Sequence, residues 1–160
     1  MTNIHRIMYS YIWRMWFFAD WLHTGELCCL YPTVPPKKQI DQFATESNKP
    51  NKEDCLLTAL EMVYIGQIPR IALSPPQTPF QEKIRSLLWS LRPGTTVTYK
   101  QAADCLGLKK AAQAVGQACA RNKFAVLVPC HRIIGSNGVG GYRWGEKLKR
   151  ELLEMEKQSS

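Results

Sequence analysis

The chain has 160 residues, 45% hydrophobic and 21% charged, enough for one sizeable core or two small domains and too apolar for a disordered polypeptide. No run of about eighteen apolar residues is free of charge, which argues against a transmembrane helix. The net charge of +8 is unevenly placed: residues 1–73 hold seven Lys/Arg and seven Asp/Glu, while the remaining residues hold 14 against six. A neutral half joined to a basic half suggests that the second half meets a polyanion, although a solvated basic surface gives the same count.

The aromatic opening "IMYSYIWRMWFFADWL" is interrupted by Arg14 and Asp20 and has no small-residue cleavage site after it. Its composition predicts two or three strands up to about Val34 rather than a signal peptide. The polar, Pro- and Lys-rich stretch that follows reads as a connection. A helix is expected over Lys52–Tyr64, with Asn51 as N-cap and Gly66 as stop. "IALSPPQTPF" marks a boundary between units 1–73 and 74–160. Thr78, Pro79 and Gln81 predict a helix start with a capping box. Phe80, Ile84, Leu87, Leu88 and Leu91 form its apolar face, before Pro93-Gly94.

Next come two short helices, about Tyr99–Leu106 and Lys109–Ala120, joined at Gly107. That is a helix-turn-helix pattern, and equally the pattern of an ordinary helical hairpin. "FAVLV" reads as a short buried strand or extended segment that delivers Pro129 and Cys130. A glycine-rich loop spans 135–141, and a last helix spans about Glu146–Lys157. The six cysteines include no C-x-x-C pair. Cys55, Cys105 and Cys119 fall in apolar helical patterns and read as small buried hydrophobes, which fits a reducing, cytoplasmic setting.

The stretch "VPCHRIIGSNGVGGYRWG" concentrates the chemistry. A thiolate is the reactive form of cysteine, and a nearby imidazole raises its population. Adjacent residues of a strand point apart, so Cys130 and His131 can cooperate only through a turn or a bridging water. A carboxylate could orient the imidazole: Glu156 is one candidate, and Glu146, Glu151 and Glu154 are others.

"PCHR" at 129–132 resembles the active-site motif of the O6-alkylguanine-DNA alkyltransferases, the methylated-DNA–protein-cysteine methyltransferases. The resemblance extends over about residues 76–157, through "TVTYKQAA", "AAQAVGQACARNKFAVLVPCHRIIG" and "GGYRWGEKLKRELLEME". It implies an α/β protein: a short RNase H-like N-terminal sheet with a helix, and a C-terminal winged-helix-like DNA-binding domain. It further implies that Cys130 accepts the alkyl group, that His131 acts through a water as its base, and that Glu156 holds His131. Asn122 matches the asparagine that braces the turn before the active site. Tyr99 matches the tyrosine that assists rotation of the nucleotide and protonates the departing guanine. Tyr142 and the amide of Arg143 would line the base pocket, with the carbonyls of Cys130 and Ile133 accepting from the guanine amino group. Arg132 would have a structural role between the domains.

The implied reaction is irreversible transfer from O6-alkylguanine, or O4-methylthymine, in duplex DNA to the protein itself, after base flipping, by a monomer that needs no cofactor or metal. One position departs from the family: Gln113 stands where an arginine usually fills the gap left by the flipped base. Lys109, Lys110 and Arg121 could compensate through phosphates. Some members bind structural zinc in the N-terminal segment. Here His5, His23, Cys28 and Cys29 lack a standard spacing, so no zinc is expected. Two other readings are a damage-binding relative without transfer activity, which would lack Cys130, and a thiol hydrolase, which would leave the helix-turn-helix and the charge unexplained.

Overall fold

The computed structural model describes residues 4–10, 13, 15–22, 24, 26–33 and 52–158. The expected Asn51 cap, His23 and the 34–51 connection lie outside them. Three strands, β1 (Ile4–Ser10), β2 (Met15–Trp21) and β3 (Leu27–Thr33), form an antiparallel sheet in that order. In β2 the buried Phe17, Ala19 and Trp21 alternate with the less buried Phe18 and Asp20, as the two-residue period of a strand requires. Helix α1 (Lys52–Tyr64) buries Leu56, Ala59, Leu60 and Val63 on one face.

The outer edge of β3 is closed by two segments from beyond α1. Leu27 N donates to Ala72 O and Ser74 N to Leu27 O; Leu30 N donates to Lys123 O and Ala125 N to Leu30 O. The residues before and after the composition boundary therefore share one core, in which Leu27 and Leu30 pack with Ile84, Leu88 and Leu127.

Helix α2 (Pro79–Ser90) starts as expected, with Thr78 Oγ1 accepting from Gln81 N. The expected capping box is displaced by one residue, because Gln81 Oε1 accepts from Gln77 N rather than from the cap itself. The complete box occurs one helix later: in α3 (Tyr99–Cys105), Thr98 and Gln101 satisfy each other's backbone N–H groups. Helix α4 (Ala112–Ala120) begins three residues after the expected start. Lys109 and Lys110 belong instead to the turn before it, where Lys110 has φ +65°. Gly107, at φ +69°, reverses the chain between the two helices.

Two further expectations are corrected. Cys55 and Cys105 are exposed; only Cys119 and Cys130 are buried. The run 124–128 is a buried coil of turns rather than a strand, with Val126 at φ +64°. Its carbonyls are satisfied by tight local turns and by side chains: Leu127 N donates to Ala125 O, Val128 N to Phe124 O and Cys130 N to Val128 O, while Trp89 Nε1 donates to Leu127 O and Asn122 Nδ2 adds to Phe124 O and Val128 O. Those partners replace a strand ladder. A two-residue parallel pair, β4 (Val97–Thr98) with β5 (Ile133–Ile134), and the last helix α5 (Glu146–Lys157) complete the fold. No helix among the described residues is long and apolar enough to cross a membrane.

Candidate active site

Residues Cys130–Arg132 form a single turn of 3₁₀ helix. The turn removes the strand-geometry objection to cooperation between Cys130 and its neighbours, because successive side chains fan around an axis. All three residues are buried. His131 Nε2 lies 2.8 Å from Glu156 Oε1. Of the four carboxylates left open by the sequence, Glu156 alone is buried, while Glu146, Glu151 and Glu154 are exposed and pair along the surface of α5.

Glu156 is also held by Arg132, whose Nη2 donates to Oε1 at 2.8 Å and whose Nε lies 3.1 Å from both oxygens. Gly94 N donates to Oε2. The remaining Arg132 donors reach Leu91 O at 2.8 Å and Val63 O at 3.0 Å, so one guanidinium ties α1, α2 and α5 together. Burial alone would raise the Glu156 pKa. The hydrogen bonds and charges of His131 and Arg132 outweigh it and hold the carboxyl at about 2. Burial lowers the His131 pKa despite Glu156. A neutral imidazole that donates from Nε2 leaves Nδ1 as its acceptor, and Nδ1 is buried with no hydrogen-bond partner among the described residues. The ring is fixed edge-on by Trp13 at 6.0 Å and Tyr142 at 6.4 Å between centroids.

The thiol itself is not a ready nucleophile. Burial pushes Cys130 up to about 11, against the opposing effects of Asn122, Lys149 and Arg143. Asn122 Nδ2 stands 3.1 Å from Sγ, in position to donate to a thiolate. Cys130 opens on a cavity of about 230 Å³, lined also by Tyr99, Gly116, Cys119, Ala120, Gly141, Tyr142 and Arg143. Tyr99 Oη donates to Gly141 O, and burial raises its pKa, so the phenol keeps its proton. Gly140 closes the loop against this wall at φ +75°; a Cβ there would meet Gly135 N at 3.0 Å and the Tyr99 ring at 3.2 Å.

Sequence reasoning missed Lys149 and Trp13. Lys149 is buried; its Nζ donates to Ile133 O at 2.6 Å and Gly141 O at 3.1 Å and lies over the Tyr99 ring. A signal was available, because Lys149 sits on the apolar stripe of α5 with Leu152, Leu153 and Glu156. Trp13 left no such trace in an aromatic-rich segment. Ile133 does not line the cavity, and its carbonyl is engaged by Lys149. Gln113 is exposed on α4, in an open hollow with Thr98, Tyr99, Lys100 and Ser136 beside the cavity. Lys109 and Lys110 are exposed on the preceding turn. Arg121, at the end of α4, lines a different cavity together with Arg85 and Lys123. No group of three or more metal-ligating residues occurs among the described residues.

Residues 79–158 match the model of the 6-O-methylguanine DNA methyltransferase DNA-binding domain. The chain belongs to this methyltransferase family. A probable methylated-DNA–protein-cysteine methyltransferase of Acanthamoeba polyphaga mimivirus is 37% identical over 126 residues, 77% of this chain and 85% of that one. The methylated-DNA–protein-cysteine methyltransferase of Kluyveromyces lactis is 48% identical over 80 residues, 49% of this chain and 42% of that one. The chain thus spans less than half of the yeast relative. The crystal structure of a Mycobacterium tuberculosis family member in complex with DNA covers 98% of this chain and 94% of its own, at 30% identity and a TM-score of 0.71. The family assignment therefore extends to the fold of both halves of the chain.

Proposed function

We propose that the protein repairs DNA by moving the alkyl group of O6-alkylguanine onto Cys130, once per molecule. The observation that carries this reading is a buried thiol facing a partly open cavity, with a His131–Glu156 pair behind it and the exposed Gln113 side of α4 beside its mouth. A guanine inside a duplex is out of reach of a buried sulfur, so the base must be rotated out into the cavity. In this reading α3 and α4 form the helix-turn-helix of a winged-helix-like unit, and β1–β3 with α1 form a shortened RNase H-like unit. Gln113, Lys109 and Lys110 meet the DNA, with Arg121 contributing at the far end of α4.

The thiol proton passes towards His131 Nδ1 through a water, and Glu156 stabilises the imidazolium that results. Asn122 Nδ2 and the Lys149 and Arg143 charges favour the thiolate. Sulfur attacks the alkyl carbon, the carbon–oxygen bond breaks, and Tyr99 gives its proton to the departing guanine. Tyr142 and the Arg143 amide flank the base, and the Cys130 carbonyl accepts from its amino group through the lone pair that Ile133 N leaves. Ile133 O can contribute only through the lone pair that Lys149 leaves. A thioether is not hydrolysed by water, so the protein is consumed. The reading implies a monomer acting where DNA is, in the cytoplasm on the nucleoid or in a nucleus. It calls for no cofactor.

Intact-mass measurement after mixing with duplex DNA containing O6-methylguanine tests it. A stable gain of one methyl group, located on Cys130 by peptide mapping, is the expected result. Tight binding without any gain in mass points instead to a damage-binding module, and catalytic turnover points to a hydrolase.

A further inference from the structure

A second cavity, of about 250 Å³, lies between α2, the end of α4 and the segment 74–77. Its floor is apolar, made by Ile84, Leu88, Phe124 and Val128. Four cations line it, Arg85, Arg121, Lys123 and Arg143, and no carboxylate does. Glu82, on the same helix as Arg85, is an opposing charge that acts on that guanidinium from outside the lining. Arg85 is part-buried: Nη1 and Nη2 lie 3.4 and 3.3 Å from Ser74 O, and the guanidinium sits 5.4 Å from the centre of the Phe124 ring. The alkyl-transfer reading uses Arg121 and Arg143 from this set and leaves the cavity itself unexplained.

Two features decide what fits. Guanidinium forks match phosphate and carboxylate oxygens two at a time, and a phosphomonoester brings up to two charges to a wall with several such forks. The apolar floor accepts a flat or aliphatic body beside that charge. A peptide has less to gain at Ser74, whose backbone is already used: Ser74 N donates to Leu27 O and Ser74 O accepts from Arg85.

We infer that this cavity is a binding site for a nucleotide 5′-monophosphate, either free or at the end of a DNA strand. The phosphate faces Arg85, Arg121, Lys123 and Arg143, and the nucleoside rests on the floor. The site is joined to the thiol. Arg143 lines both cavities, and Asn122, which lines this one, donates towards Cys130 Sγ. An anion beside Arg143 offsets the positive field that favours the thiolate, so occupancy slows attack by Cys130.

Isothermal titration calorimetry of the full chain with thymidine 5′-monophosphate tests the site without relying on the alkyl-transfer reading. The monophosphate is expected to bind and thymidine is not. Lys123→Gln, a change at an exposed position, should weaken binding by about tenfold; Arg85→Gln should do the same if it folds. Equal binding of thymidine and its monophosphate, or an unchanged affinity in Lys123→Gln, overturns the proposal. Displacement by an acidic pentapeptide at equal concentration also overturns it, in favour of a protein partner. Oligothymidylate with and without a 5′-phosphate separates the two sources: binding that needs the phosphate identifies the strand end, and binding of the free nucleotide alone identifies a metabolite. If the site holds and the protein transfers alkyl groups, saturating monophosphate slows the reaction with O6-benzylguanine in the wild type and not in Lys123→Gln.

Discussion

Asn122 Nδ2 lies 3.1 Å from Cys130 Sγ while also donating to Val128 O at 2.9 Å and Phe124 O at 3.2 Å. The same side chain therefore shapes the turn that presents the nucleophile and supplies a donor to it. Asn122→Ala removes the Oδ1 that accepts from the buried Phe124 N, and an unpaired buried N–H costs about 1–3 kcal/mol. The substitution should also slow reaction with O6-benzylguanine. Urea unfolding alongside single-turnover kinetics separates the effects, and a lowered stability with an unchanged rate reduces Asn122 to a structural role.

Cys130→Ser should abolish methyl transfer and leave DNA binding nearly intact, since a hydroxyl is a far weaker nucleophile than a thiol. Cys119 shares the cavity, but burial raises its pKa further. Peptide mapping that finds methyl on Cys119 in this variant would show that position in the cavity, rather than the His131 relay, selects the acceptor.

With the Cys130 pKa pushed up to about 11, the thiolate is a minor species at neutral pH and grows as pH rises. The rate of alkylation by O6-benzylguanine should climb between pH 6 and 9, by up to about tenfold per unit where thiolate supply is limiting. A flat profile over that range would mean that proton removal does not limit the step.

Glu156 has a folded pKa of about 2, below its ordinary value of 4.5. A depressed carboxyl contributes stability that is fully present above pH 4.5 and is lost as pH falls towards 2. Glu156→Gln should flatten that part of the stability–pH curve. It should also cost about 3–5 kcal/mol at neutral pH, because the buried Arg132 loses its counter-charge. Equilibrium unfolding at several pH values measures both, and an undiminished slope below pH 4.5 would assign the acid sensitivity elsewhere.

Gln113→Arg should speed methyl transfer from duplex DNA and leave the reaction with free O6-benzylguanine nearly unchanged. Extruding a base costs a few kcal/mol, and an arginine fills the gap, stacks and donates better than glutamine. Equal changes in both rates would place Gln113 in the thiol site. No change in either would mean that flipping is not limiting, and Tyr99 would be the next residue to vary.

The helices were legible because each carries a local signal: Pro79 behind Thr78, the glycine after α3, the apolar stripe of α5. The 124–128 coil was not, because five apolar residues in a row look alike as strand or turn. What decides is Asn122 and Trp89 reaching in from outside the run. In the site, Cys130, His131 and Tyr99 could be named from "PCHR" and its companions. Spacing left Glu156 level with three neighbouring glutamates; the resemblance singled it out, and the buried face of α5 gives the physical reason. Lys149 lies on the apolar stripe of α5 but is easily passed over, because a lysine on a charged helix is ordinarily solvated; Trp13 left no trace, because its partner His131 is more than a hundred residues away in sequence.

The exposed edge of a sheet is ordinarily a hazard, since unpaired strand groups recruit other chains. Here the edge of β3 is closed at Leu30 by Lys123 and Ala125, the residues that lead directly to the nucleophile. Loosening the N-terminal sheet would therefore free a sticky strand and slacken the Cys130 turn in the same event. With the core and the β3 edge shared across it, the change in composition near residue 73 should not act as a seam. Heat or denaturant should take it through a single cooperative transition, with loss of the sheet and loss of thiol protection at the same midpoint.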